Sequence, residues 1–97
     1  MRVIAKRTLK LFWEKHRDCE EQLKTWYEEA VDASWHNLND IKKDYPYVSF
    51  LGDNRVVFNI KGNRYRLIVR INYKYKMVWV RFIGTHAQYD KIDVTTI

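Results

Sequence analysis

His86 and Tyr89 stand three residues apart in the run Gly84-Thr85-His86-Ala87-Gln88-Tyr89-Asp90. If a helical turn follows the glycine, that spacing puts an imidazole and a phenol on one face. Upstream lie Arg55, Arg64, Arg66, Arg70 and Arg81. Proton-transfer groups beside guanidinium groups are the ingredients for acid–base attack on a phosphodiester, because arginine holds phosphate in a bidentate grip. Other chemistries lack their residues. Cys19, His16, His36 and His86 have no metal-ligand spacing, so neither a metal nor a cofactor is expected. There is no Walker loop, dinucleotide fingerprint or serine elbow. His16 and His36 read as ordinary helix-end and loop histidines.

The residues around the arginines must position them, and there the pattern has period two. Arg55–Ile60, Tyr65–Asn72 and Met77–Thr85 read as strands. Gly62-Asn63 suits a two-residue reversal with glycine first, which pairs Lys61 with Arg64, Asn59 with Arg66 and Val57 with Ile68. A turn around Lys74-Tyr75 pairs Asn72 with Met77, Arg70 with Trp79 and Ile68 with Arg81. These registers predict one apolar face, from Val56, Phe58 and Ile60 through Leu67, Val69 and Ile71 to Val78, Val80 and Phe82. The opposite face collects the five arginines with Val57, Asn59, Ile68, Met77, Trp79 and Ile83. Like charges crowded on one sheet face call for an anion. The competing reading is a solvated face that uses arginine stems for packing, with Arg70 over Trp79 as a cation–π pair. Single-stranded RNA suits an Arg-and-aromatic sheet better than duplex DNA does, and no helix-turn-helix or zinc-finger signature is present.

The first half of the chain is helical. Arg2 to Ala5 reads as a short strand. Thr8 can cap a helix carrying Leu9, Phe12, Trp13 and His16. Asp18 with Glu21 resembles a capping box, and the next helix lines up Cys19, Leu23, Trp26, Tyr27, Ala30 and Val31. A third helix starts near Asn37 or Asn39 and ends before Pro46. Residues 47–54 read as a loop with Gly52-Asp53-Asn54 as its turn. The predicted fold is α+β: one domain over 1–97, with N-terminal helices packed on one face of a small antiparallel sheet of three to four strands.

The length of 97 residues allows one compact domain. Eighteen Lys and Arg against 12 Asp and Glu give a net charge of +6. That charge is unevenly spread. Residues 1–17 hold six bases against Glu14, residues 18–33 six acids against Lys24, and Arg55 to Lys91 nine bases against Asp90. The acidic stretch reads as a solvated helix face, and the basic one as an attractor for a polyanion. A lone cysteine points to the reducing cytoplasm. Met1 to Lys10 lacks a signal peptide's apolar stretch, and no run suits a bilayer, so no membrane is expected.

RVIAKRTLKLFWEKH at the start, VVFNIKGNRYRLIV in the middle and RFIGTHAQYDKID near the end together resemble the HigB toxins. These are a branch of the RelE-like mRNA interferases of bacterial type II toxin–antitoxin systems. The resemblance covers nearly all of residues 1–93. It implies a metal-independent endoribonuclease that cuts mRNA, usually on the translating ribosome. It also implies a HigA-type helix-turn-helix antitoxin as partner, with operator DNA reached only through that antitoxin. By motif, the implied active-site residues are Arg66, Arg81, His86 and Tyr89. Lys61 stands where many members carry glycine, and Gln88 where many carry glutamate.

In that chemistry the RNA's own 2′-hydroxyl attacks the phosphorus, Arg66 and Arg81 stabilise the added charge, and His86 moves a proton. Tyr89 is a second proton-transfer group or a base-stacking one. Asn59, Arg64, Arg70, Trp79, Lys74 and Lys76 are candidate RNA contacts, with Lys6, Arg7 and Lys10 at the edge. Two alternatives stand beside this reading. One is a non-catalytic RNA-binding regulatory module. The other is a protein-docking patch built from Trp35, Tyr45, Tyr47 and Phe50.

Overall fold

Alternating branched and polar residues drive the second half of the chain into strands. The computed structural model, which describes residues 1–97, joins five strands in one sheet. The order along the chain is β1 (Arg2–Ile4), α1 (Lys6–Lys15), a 3₁₀ turn (Arg17–Cys19), α2 (Glu20–Asp32) and α3 (Leu38–Asp44). Then come β2 (Ser49–Gly52), β3 (Arg55–Ile60), β4 (Tyr65–Asn72), β5 (Met77–Thr85) and α4 (His86–Lys91). Across the sheet the order is β1-β5-β4-β3-β2. The fold is α+β as expected, but the sheet is larger than three to four strands and it is mixed. β1 runs parallel to β5, and the other neighbours are antiparallel. The added strand is β2, inside the stretch expected to be loop. Its four residues are too few to display a period, and the reversal after it uses positive φ at Gly52, Asp53 and Asn54.

The helices bury their stripes against alternate residues of the sheet. Leu9 and Trp13 of α1 join Leu23, Trp26 and Ala30 of α2 in one buried cluster with Val56, Phe58, Leu67, Val69, Ile71 and Val78. The Trp26 ring meets Phe58 edge-on, with centroids 5.3 Å apart. Cys19 is fully buried in the same cluster, its thiol donates to His16 O at 3.1 Å, and burial pushes its pKa up to about 11. Val31, expected on the stripe, is exposed.

Two expected caps are absent. α1 starts at Lys6 behind Ala5, so Thr8 lies inside its first turn. Asp18 does not cap α2, because its carboxylate accepts from Tyr65 Oη at 2.7 Å and Arg64 Nη1 at 2.6 Å. Asn37 does cap α3, accepting from Asp40 N.

The hairpin registers hold as read over most of their length. Asn59 faces Arg66, Val57 faces Ile68, Arg70 faces Trp79 and Asn72 faces Met77. Arg64 N donates to Lys61 O at 3.2 Å and closes the Gly62-Asn63 turn. Ile68 pairs with Phe82 rather than Arg81, because the register shifts and leaves Arg81 as an extra residue in β5. Every later side chain of that strand therefore changes face. Ile83, paired with Leu67, packs against the core, and Phe82 joins the arginine side. Arg55 is likewise no surface arginine. It is 8% exposed, and its guanidinium donates to the carbonyls of Val94, Ile97 and Gly52, which ties the C-terminal segment to β3.

Lys61 sits at φ +54°, a conformation that costs a side-chain-bearing residue energy and a glycine none. Lys61→Gly should raise stability by about 0.5–1 kcal/mol, read as a higher urea midpoint with an unchanged slope. A lower midpoint would show that the lysine side chain contributes more than its backbone costs.

The Tyr65 hydroxyl, with Arg64 second among the favourable contacts, holds the Asp18 carboxyl below its ordinary 3.8. A carboxylate with a lowered folded pKa contributes stability that is complete above the unfolded value and lost as pH falls through the folded one. Asp18→Asn should therefore destabilise at neutral pH, with the gap from wild type closing below about pH 4. Denaturant midpoints across that range check the sign. A gap that widens in acid would contradict it.

Candidate active site and basic face

The register step in β5 sets Gly84 opposite Arg66. A β-carbon on Gly84 would lie 2.6 Å from Phe82 Cζ and 2.8 Å from Gln88 Oε1. The glycine is thus needed for close approach, not for a turn. Thr85 then caps α4. Its hydroxyl accepts from Gln88 N at 3.1 Å, and Gln88 Oε1 accepts from Thr85 N at 2.8 Å. His86 N donates to Arg64 O at 2.9 Å, which fastens the start of the helix to β4.

These constraints bring Arg66 and Tyr89 into contact and set His86 one helical turn before Tyr89 on α4. The Arg66 guanidinium lies over the Tyr89 ring at 5.7 Å and donates to Asn63 O at 3.2 Å. His86 Nδ1 lies 3.0 Å from Asp90 Oδ2. The carboxylate therefore stands beside the imidazole one helical turn on. His86 is half exposed, at the edge of a broad depression lined by Lys61, Asn63, Arg64, Tyr65 and Thr85.

Arg81 stands on the bulge, exposed, with no hydrogen bond or ion pair to join it to that group. Of the other expected contacts, Arg64 is paired to Asp18 at 2.6 Å and Arg70 to Asp53 at 3.6 Å. Asn59 faces Arg66, and Trp79 faces Arg70. Lys74 lies over the Tyr75 ring, and the Lys76 ammonium is buried without a partner. Arg66 and Arg81 are therefore the outer-face arginines left without a carboxylate.

Sequence reading missed Asp90, although its spacing of four from His86 was the available signal. It also missed the capping role of Gln88. That side chain serves as an acceptor for the backbone, which a glutamate could do equally well, and the carboxylate beside the imidazole comes from Asp90 instead. No cluster of three or more His, Cys, Asp or Glu is placed to hold a metal ion.

A single mixed sheet with α1 and α2 packed on one face, and Arg66, His86 and Tyr89 near the end of its last strand, defines a small α+β domain with a basic surface. Residues 19–92 match the family model for HigB toxin, described as the RelE-like toxic component of a toxin–antitoxin system, and the chain belongs to that family. Among curated proteins no match is found.

Gly84→Ala should destabilise by about 1–3 kcal/mol, because Phe82 or the Gln88 cap must move. A thermal melt measures the loss. Pairing it with Phe82→Leu, which shortens the obstructing ring, should recover part of it. No recovery would place the clash elsewhere.

Proposed function

We propose that this toxin is a metal-independent endoribonuclease that cleaves mRNA on the translating ribosome, and hence in the cytoplasm. The observation that carries this reading is the gathering of His86, Tyr89 and Arg66 beside a face on which Arg66 and Arg81 keep unneutralised charge. RNA supplies the nucleophile, so DNA is spared. A base removes the 2′-hydroxyl proton, and the oxygen attacks the adjacent phosphorus in line. The bond from phosphorus to the 5′-oxygen breaks, and an acid protonates that leaving oxygen. The products are a 2′,3′-cyclic phosphate and a 5′-hydroxyl.

His86 performs one of the two proton transfers, with the Asp90 carboxylate 3.0 Å from its Nδ1. Tyr89 performs the other or stacks on a base. Arg66 and Arg81 meet the charge that builds on the phosphate oxygens. Arg64, Arg70, Asn59, Trp79 and Lys74 extend the contact to neighbouring nucleotides. A HigA-type helix-turn-helix antitoxin is the partner this reading requires, with operator DNA bound through it. No helix is long and apolar enough to cross a membrane.

Single-turnover cleavage at saturating enzyme, with mapping of new mRNA ends on translating ribosomes, tests the assignment. His86→Ala should lose about 10²–10⁴ in rate with RNA binding nearly unchanged. Arg66→Ala and Arg81→Ala should each lose about 10²–10³ while the proteins remain folded. Wild-type cleavage by His86→Ala would move the proton transfer to another group. RNA binding without new ends would make the chain a regulatory RNA-binding module.

A further inference from the structure

A second concavity, of about 510 Å³, lies between α2, the segment entering β2 and the far end of β3. Its lining includes Thr25, Trp26, Glu29, Tyr47, Phe58 and Asn59. Three features there are unused by the RNA chemistry.

The first is an unpartnered donor. Trp26 is 2% exposed, and its Nε1 has no hydrogen-bond partner. A buried indole N–H left unpaired is costly, and the ring that carries it forms part of the cavity wall.

The second is an open strand edge. Ile71 N donates to Asn54 O, so Asn54 and the even-numbered residues of β3 turn their backbone groups toward β4. Arg55, Val57 and Asn59 turn theirs the other way. Val57 is matched by Ser49, where β2 begins, and Lys61 N is taken by Gln22 Oε1 at 2.5 Å. Between them the Asn59 N–H and C=O face the cavity with no strand alongside.

The third is charge. Glu29 lines the cavity, and Glu21, Glu28 and Asp32 follow on the adjoining stripe of α2. Tyr47, 86% exposed, adds aromatic surface to the lining.

We infer that this cavity receives an extended, basic segment of a partner polypeptide, which pairs its backbone with Asn59 and places an arginine or lysine side chain between the aromatic rings and Glu29. Strand addition supplies the backbone bonds, and the acidic helix selects the charge. A nucleic acid is disfavoured because its phosphates would meet the carboxylates of α2. The inference does not depend on RNA cleavage: the two sites share only Asn59, whose backbone serves here and whose side chain faces Arg66.

The test is a titration of full-length protein followed by the Trp26 indole N–H and Asn59 amide NMR signals. The probe is a capped heptapeptide of alternating valine and arginine. Controls are the same peptide with glutamate for arginine, the same peptide N-methylated on its alternate pairing amides, and uridine monophosphate. The basic peptide should shift both signals, the control peptides should shift neither, uridine monophosphate should leave the Trp26 signal unmoved, and added salt should weaken binding. Thr25→Arg, a change at an exposed helix position, should weaken binding at least about tenfold and leave RNA cleavage at the wild-type rate. Absence of both shifts, equal binding of the glutamate or N-methylated peptide, or a preference for the nucleotide would overturn the inference. So would unchanged binding to Thr25→Arg. Loss of the RNA reading would show instead as absent cleavage by wild type, with the peptide result unaffected.

Discussion

One extra residue in β5 governs the geometry of the site. Without the bulge at Arg81, strand alternation would send Phe82 into the core and leave Ile83 and Thr85 on the arginine side. With it, Ile83 completes the core and Gly84 falls opposite Arg66. Phe82 rests over the glycine, and the chain leaves the sheet where Thr85 can cap α4. His86, Tyr89 and Asp90 all inherit their positions from that step. The bulge also withdraws Arg81 from the ladder, which frees its guanidinium from the cross-strand neighbours that a regular position would impose.

Selective neutralisation shapes the basic face. The acid-poor second half of the chain borrows carboxylates from outside its own strands: Asp18 from before α2 for Arg64, and Asp53 from the β2–β3 turn for Arg70. Arg55 is consumed by carbonyls of the C-terminal segment. Such exposed pairs contribute little to stability, but they determine where positive potential remains. It remains at Arg66 beside Tyr89 and at Arg81.

Strand positions and most of the register were readable because period two and the Gly62-Asn63 turn are local signals. The α2 core stripe was readable for the same reason, at helical spacing. β2 was not, since a strand of four residues carries almost no period and forms by pairing with β3. The bulge was also hidden. Phe82 and Ile83 are both apolar, so either could face the core, and packing of the whole sheet decides between them. Asp18 looked like a cap because sequence shows only near neighbours, whereas Tyr65 and Arg64 reach it from the other half of the chain. The candidate site was legible only as an ingredient list, of which the structure joins Arg66 to Tyr89 and sets His86 beside Asp90. Its exclusions were not, because burial of Arg55 and of the Lys76 ammonium depends on segments far away in sequence.

Cys19 has a practical corollary. Fully enclosed, with a thiol that resists ionisation, it offers neither access nor thiolate to alkylating reagents or peroxide. The folded domain accordingly behaves as a cysteine-free scaffold without any need to mutate it. A reactive cysteine introduced on an exposed position such as Ala87 or Tyr47 would take a fluorophore or spin label alone. Because Ala87 borders the basic depression and Tyr47 the acidic concavity, such labels would watch the two surfaces separately in an otherwise native chain.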